Sequence, residues 1–415
     1  MNGGSSSIKF AIFKPGLPLT RRVAGAVERI GLPETVLRTT KRGDSDELQP
    51  LPATDFNEAV AGLLDWLTES GELARVTAIG HRVVHGGPNY IDPQVVTPKL
   101  LADLREAITF APNHLPMELA LIEATVKRLP KVPQVVCFDT TFHKRLAGVH
   151  TRLPIPRRYH DAGVRRYGFH GLSFSYLMEE LRRQAGPEIA NGKVILAHLG
   201  SGSSLAAIEH GRSIDTTMGF TPTGGVMMAT RTGDIDPGVL LHILRTEGLS
   251  ADQLDHLVNR ESGILGVSGT TSDMRDLVAR KETDPTAKEA FNSYCYSIRK
   301  GIGAMVAVNN GAETLVFSGG IGEHLPEARS RILNGLGHVF GIRVDPALNE
   351  ANAPVISKHD SPCTVRVIPT DEESMIAQIT LRVLSGTPEP KNSIPMPPLR
   401  ETPWPSDDDL RTLDA

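Results

Sequence analysis

Val194-Ile195-Leu196-Ala197-His198-Leu199, then Gly200-Ser201-Gly202-Ser203-Ser204, then Leu205-Ala206-Ala207-Ile208 is the stretch that decides the fold. Two apolar runs of strand length joined by a turn of small residues read as a hairpin, and the tip lets backbone approach a ligand without Cβ clashes. The N-terminus echoes it. Gly3-Gly4-Ser5-Ser6-Ser7 feeds Ile8-Lys9-Phe10-Ala11-Ile12-Phe13, which alternates like a strand and stops at Pro15-Gly16. Taken alone, Gly3 to Ser7 has the composition of a flexible linker. The strand directly behind it and the echo roughly 200 residues on argue instead for two domains of one α/β fold, each offering a phosphate-cradling hairpin.

Outward from these hairpins, β-rich runs alternate with helical patterns, the signature of α/β architecture. Glu58 to Leu67, Lys99 to Ile108 and Met117 to Leu129 have helical spacing, with Pro116 suited to a helix start. Val135-Val136-Cys137-Phe138 reads as a buried strand with Asp139 at its C-terminal end, where ligand groups gather in open α/β sheets. Thr314-Leu315-Val316-Phe317 runs into Ser318-Gly319-Gly320-Ile321-Gly322-Glu323, a strand-to-helix turn or a nucleotide approach. Val365 to Pro369 is a last strand, and Asp371, Glu372 and Glu373 precede a helix from Ser374 to Leu384. From Ser385 the chain is rich in proline and charge without period, which predicts disorder.

Two arginines stand in glycine-rich, hydroxyl-rich surroundings: Arg82 in His81-Arg82-Val83-Val84-His85-Gly86-Gly87, and Arg231 in Thr230-Arg231-Thr232-Gly233-Asp234-Ile235-Asp236-Pro237. A guanidinium grips phosphate or carboxylate through two parallel hydrogen bonds, so the pair suggests a cleft closing on an anion from both sides. The 415 residues exceed one ordinary core. A formal charge of −4 excludes a broad nucleic-acid footprint. No run reaches the ~18 apolar residues of a membrane span, and no secretory leader pattern precedes Asn2. Three scattered cysteines fit a reducing cytoplasm, and the fourteen histidines show no metal-site spacing.

In order, Asn2 to Phe10, His81 to Gly87, Phe138-Asp139-Thr140-Thr141-Phe142-His143, Arg166-Tyr167-Gly168-Phe169-His170-Gly171, Thr230 to Pro237 and Gly319 to Glu323 resemble the hallmark segments of the acetokinase family of ATP-dependent carboxylate kinases. The resemblance runs from Asn2 to about Leu384. It implies two RNase H-like domains of the actin-like ATPase superfamily around a central cleft. The first would span 1–143 plus a returning helix over 374–386, and the second 144–373, with a disordered tail over 387–415 and a hinge between Thr141 and Thr151. A cytoplasmic homodimer is implied, with acetate and ATP as partners and neither nucleic acid nor membrane.

The implied reaction moves the ATP γ-phosphoryl group to acetate, giving acetyl phosphate and ADP, with Mg²⁺ (or Mn²⁺) as cofactor. The resemblance gives catalysis to Arg82, Asp139, His170 and Arg231, with His170 and Arg231 stabilising the transition state and His114 assisting. It gives the acyl pocket to Arg82, Val84, Asn113, Phe169 and Pro222. The nucleotide falls to Ser7, Lys9, His198, Gly200, Ser201, Gly202, Asp273, Met274, Arg275, Gly320, Ile321 and Gly322, with Ser5 also on the phosphate side. The metal falls to Asn2 and Glu372. Read from the residues alone, Ser272 to Asp276 is equally a capped helix start, and the Asp371 to Glu373 acids equally an N-terminal cap.

The chain departs from the family pattern in three places. Only Met1 precedes Asn2 where an apolar strand is usual, so either the chain start is misassigned or the first sheet is expected to lack half a hairpin. Ser201 replaces an asparagine, which should weaken nucleotide binding by about 1 kcal/mol. Asn113 and Leu115 stand exchanged relative to Leu-His-Asn, putting an amide at the acyl wall. Propionate or another short-chain acid is the alternative substrate. An ATP-binding switch, or an inactive remnant without its first strand, are the alternatives of another class.

Overall fold

The computed structural model of the chain describes residues 1–4, 7–16, 18–32, 34–41 and 45–388. Ser5 and the part of the expected tail from 389 onward lie outside the described residues. Strands β1 (Asn2–Gly3), β2 (Ser7–Lys14), β3 (Thr20–Glu28), β4 (Val36–Lys41) and β5 (Glu47–Pro50) form an antiparallel sheet in chain order. A second sheet joins β6 (Ile79–Val83), β7 (Gln94–Val95) and β8 (Gln134–Phe138) in the order β6-β8-β7. Met1 ties the two together: its ammonium donates to Gly80 O at 2.9 Å, and Arg82 N–H donates to its carbonyl at 3.0 Å. Through that link the first half reads β3-β2-β1-β6-β8.

The second half repeats this order with β9 (Val194–Leu199), β10 (Ser203–Glu209), β11 (Arg212–Thr216), β12 (Thr314–Ser318) and β13 (Thr364–Val367), arranged β11-β10-β9-β12-β13. The hairpin pairs are antiparallel, and β12 lies parallel to both β9 and β13. Every residue of β12 is buried, and in β9 only His198 is not, because helices cover both faces and leave no place for an alternating pattern. On one face the helix Pro285–Val308 buries Phe291, Tyr294, Ile298 and Ile302. Its start is fixed by Pro285 and by Asp284, whose carboxylate accepts from Thr286 and Ala287 N–H. On the other face the helix Gly171–Ala185 buries Phe174, Leu177 and Leu181.

The last helix begins at Glu372, two residues earlier than the charge pattern suggests, and ends at Leu384. Asp371 is its N-cap and accepts from Ser374 N–H at 3.0 Å, so Glu372 and Glu373 occupy the first turn, where the helix dipole favours acids. The helix returns to the first half, packing Met375 and Ile376 on Val135 and Cys137. Gly80 permits the approach, since a Cβ there would meet Thr380 Oγ1 at 2.2 Å. Strand β1 is only two residues long. Beside it an apolar groove runs between β2 and β6, lined by Phe10, Ile12, Leu67, Leu73, Ile79 and Ile376. No helix among the described residues is long and apolar enough to cross a membrane.

Candidate active site

Lys9 of β2, the β9–β10 tip and the turn after β12 surround a cleft with a cavity of about 930 Å³. Arg82 and Asp139, at the ends of β6 and β8, do not line this cavity and reach it through Asn2 and Glu372. Lys9, His170, His198, Gly200, Ser201, Gly202, Asp273, Met274, Arg275, Gly320, Ile321 and Glu372 all line it. The β9–β10 tip is held by Gly200 N–H donating to Gly202 O at 3.0 Å. Gly200 faces Gly320 across the cleft: a Cβ on Gly200 would lie 3.9 Å from Gly320 N. Gly319 has φ of +75° and would drive a Cβ to 2.6 Å from Leu199 O, so only glycine makes this turn. Gly322, on the same short helix Gly319–His324, lies behind it, buried against Phe317 and Leu199 and off the cavity wall. Asp273 both lines the cleft and caps the helix Met274–Arg280, accepting from Arg275 N–H at 2.8 Å.

On the first-half side, behind Asn2 and Glu372, Arg82 grips Asp139. Nε reaches both carboxylate oxygens at 3.1 Å, and Nη2 reaches Oδ2 at 2.6 Å. Burial works against both charges, but the bidentate geometry and the nearby Glu372 hold the guanidinium protonated far above its ordinary range. Asn2 bridges onward: Arg82 Nη1 donates to Asn2 Oδ1 at 3.2 Å, and Asn2 Nδ2 donates to Glu372 Oε2 at 3.1 Å. Guanidinium can only donate and carboxylate can only accept, so this amide orientation is forced. The amide oxygen, expected to serve a metal, is thereby engaged by Arg82.

Arg231 has a different environment. Its Nη1 donates to Pro222 O at 3.3 Å and meets Met228 Sδ at 3.8 Å, while Nη2 lies 3.5 Å from His114 Nε2. No carboxylate among the described residues pairs with it. Burial, with repulsion from Arg260 and Arg82, pulls its pKa down to about 10, so it remains charged at neutral pH. His114 is lowered to about 3 by burial and by the charges of Arg231, Arg82 and Arg260. His170 ends a glycine-rich turn at φ of +57°, unusual for a non-glycine residue. Its Nδ1 bonds Ser204 Oγ at 2.8 Å. Burial and the neighbouring His198, Arg82 and Arg231 hold it well below its ordinary pKa, hence neutral. A Cβ on Gly202 would lie 3.1 Å from His170 Nε2 and 3.5 Å from Arg231 Nη1, so the two groups and the loop meet at one point.

Val84 and Phe169 are buried in one apolar cluster with Met218 and Met228, next to Arg231. The cluster does not include Asn113, whose amide donates to Asp255 at 2.9 Å; Leu115, its exchanged partner, is fully buried. His114 takes the place near Arg231. The sequence reading passed over three contributors. Ser204 orients His170. Glu323 accepts from Gly319 N–H at 2.8 Å and Thr370 N–H at 3.1 Å, pinning the β12 turn to the segment that leads into the last helix. Glu118 is fully buried, accepts from Val84 N–H at 3.0 Å, and is raised by burial to about 8.

A family model described as the acetokinase family matches residues 1–378. An acetate kinase of Rhodopseudomonas palustris is 41% identical over 93% of this chain and 98% of its own. The crystal structure of Porphyromonas gingivalis acetate kinase superposes with a TM-score of 0.82 at 37% identity, covering 92% of this chain and 98% of that one. A propionate kinase structure from Francisella tularensis gives 0.85 at 33% identity with the same coverage. These neighbours have two α/β domains of the actin-like ATPase type, as this molecule does. With that cleft and these relatives, the chain belongs to the acetokinase family.

Proposed function

We propose that the cleft transfers the γ-phosphoryl group of ATP to acetate, giving acetyl phosphate and ADP. The observation that carries this reading is Arg231, a half-buried guanidinium with no carboxylate partner among the described residues, beside the Nε2 of a neutral histidine. A cation largely removed from water without a counter-charge is costly. Here an anionic substrate supplies it. The acetate carboxylate and the migrating phosphoryl group lie between Arg231 and Arg82, with the methyl group toward Val84, Phe169 and Pro222. With Nδ1 accepting from Ser204, His170 presents its Nε2–H to an equatorial phosphoryl oxygen, whose charge grows in the loose transition state. Acetate is already ionised at neutral pH, so no acid–base step is needed.

Lys9, Ser7, His198 and the Gly200–Gly202 tip cradle the phosphates, while Asp273, Met274, Arg275, Gly320 and Ile321 face the nucleoside. The residues present suit Mg²⁺, which takes one or two carboxylates and otherwise phosphate oxygens and water. Glu372 lines the cleft, and no cluster of three or more ligating side chains is found among the described residues. Glu372 would hold the ion, which would supply neutralising charge to the β- and γ-phosphates. We assign Asn2 to positioning Glu372 and Arg82, and Asp139 to fixing Arg82. We further propose units of 1–143 with 374–386 and of 144–373. Cytoplasmic residence is supported by three buried free cysteines. A homodimer is supported by the helix Pro237–Glu247, which buries none of its residues although Val239 and Leu241 face outward.

Trapping acyl phosphate with hydroxylamine in the presence of Mg-ATP and a panel of acids tests the reading. Acetyl hydroxamate should form, and nucleotide hydrolysis indifferent to acetate with no trapped product would overturn it. Propionate is the second reading, supported by the propionate kinase relative. One extra methylene is worth only ~1–3 kcal/mol in such a pocket, so the panel's kcat/KM values decide between them.

A further inference from the structure

A second cavity, of about 700 Å³, lies outside the cleft. Three of the elements that wall it carry or adjoin an active-site group elsewhere along their length. The segment after β8 holds Asp139 and turns Phe142 toward the cavity. The helix Gly171–Ala185 follows His170 and contributes Gly171, Met178 and Arg182. The helix Glu372–Leu384 starts with Glu372 in the cleft and contributes Met375, Ile379 and Arg382. Gly171 N–H donates to Asp139 O at 2.9 Å, and a Cβ on Gly171 would lie 2.1 Å from that oxygen. The wall of this cavity therefore has no slack toward the catalytic groups.

The lining has a definite chemistry. Its apolar lining includes Phe142, Met178 and Ile379. Five basic side chains lie around it against two acidic ones, Asp92 and Glu179. Asp92 is occupied by Lys144 at 2.6 Å, and Glu179 stands 3.6 Å from Arg382 across the two helices. The side chains of Arg145, exposed, and Arg212, half-buried at the start of β11, make no hydrogen bond or ion pair among the described residues. A volume of this size is typical of small-molecule sites. Apolar side chains together with uncompensated guanidinium groups in one lining select an organic anion with an apolar body.

We propose that this cavity is a regulatory site for an amphipathic organic anion, a carboxylate or a phosphate monoester, which braces the elements carrying Asp139, His170 and Glu372 and so changes turnover. The regulatory part rests on the phosphoryl-transfer reading above, whereas binding itself does not. The probe is 1-anilinonaphthalene-8-sulfonate, an apolar ring system with one fixed negative charge, titrated by fluorescence into the full chain saturated with Mg-ADP so that the cleft is filled. Saturable binding is expected, weakened at least tenfold in Arg212→Ala and in Arg145→Glu, the latter a surface change that leaves the fold intact. Competition by octanoate and by octyl phosphate tells which head group is preferred. In the same samples, occupancy should change kcat with little effect on the KM of ATP, and both variants should retain basal turnover. Probe binding equal in the wild type and both variants, or lost whenever Mg-ADP is present, would overturn the site. Binding at the site with kcat unmoved would overturn its regulatory role.

Discussion

Arg231 and Arg82 are the same residue type in two electrostatic situations, and the difference predicts what each substitution does. Arg82 is neutralised by Asp139 in the resting protein, whereas Arg231 is pushed down to about 10 by burial and like charges. Arg231→Leu removes a charge that only an anionic substrate offsets. We expect kcat to fall by about 10³-fold or more, while equilibrium binding of ATP, measured by calorimetry, stays within about threefold. An equal loss of ATP binding would move Arg231 to the nucleotide. Ser204 acts one step further back, through Nδ1 of His170. Ser204→Ala should cost about tenfold in turnover, the worth of one orienting hydrogen bond, again with ATP binding unmoved in the same calorimetric measurement. The sequence made Arg82, His170 and Arg231 legible because their types stand out among glycines. Ser204 is one serine among several at a hairpin tip, and Glu118 lies within an ordinary helical pattern. Their partners, His170 and Val84 N–H, come from distant segments, so only the folded chain reveals them.

At the level of elements, the hairpin echo was legible because β9, β10 and β2 are long enough to carry their own pattern. The link between the first two sheets was not legible, since it consists of Met1 and a two-residue strand. That link is the weak point of the first half. The Met1 ammonium is buried, which lowers its pKa, and β2 and β6 flank an apolar groove beside it. A strand placed there would pair backbone groups along β2 and β6 and cover Phe10, Ile12, Leu73 and Ile79. We therefore expect a six-residue apolar, β-branched extension fused ahead of Met1 to stabilise the protein. Burying even two such side chains contributes about 3–6 kcal/mol, enough to raise Tm by several degrees. A Gly/Ser extension of equal length removes the buried ammonium without filling the groove, and should give little of that gain. Equal Tm values for the two extensions in a thermal scan would show that the groove does not accept a strand.

Across the whole molecule, the cleft and the cores share one feature with a pH signature: histidines buried in the neutral form. Burial lowers His81 and His114 to about 3, His85, His143 and His198 to about 4, and His170 well below its ordinary value. An unfolded chain protonates all six near pH 6.5, whereas the folded one does not until far lower. Their contribution is therefore complete above pH 6.5 and is lost as pH falls toward 3–4. Glu118 acts with the opposite sign. Raised by burial to about 8, it stabilises fully below the unfolded value near 4.5 and less as pH rises through 8. Near pH 5.5 the histidines outnumber it, and unfolding should take up about four protons, a slope of roughly 5 kcal/mol per pH unit. That is a large fraction of the ~5–15 kcal/mol that holds a typical domain. Tm should hardly move between pH 7.5 and 7, then drop steeply between 6.5 and 5.5. Calorimetric unfolding in buffers of different ionisation enthalpy would count the protons directly. A flat Tm down to pH 5.5, or uptake below one proton, would mean that these rings already accept protons in the folded state, and that the dry, neutral histidine surroundings assigned to the cleft are wrong.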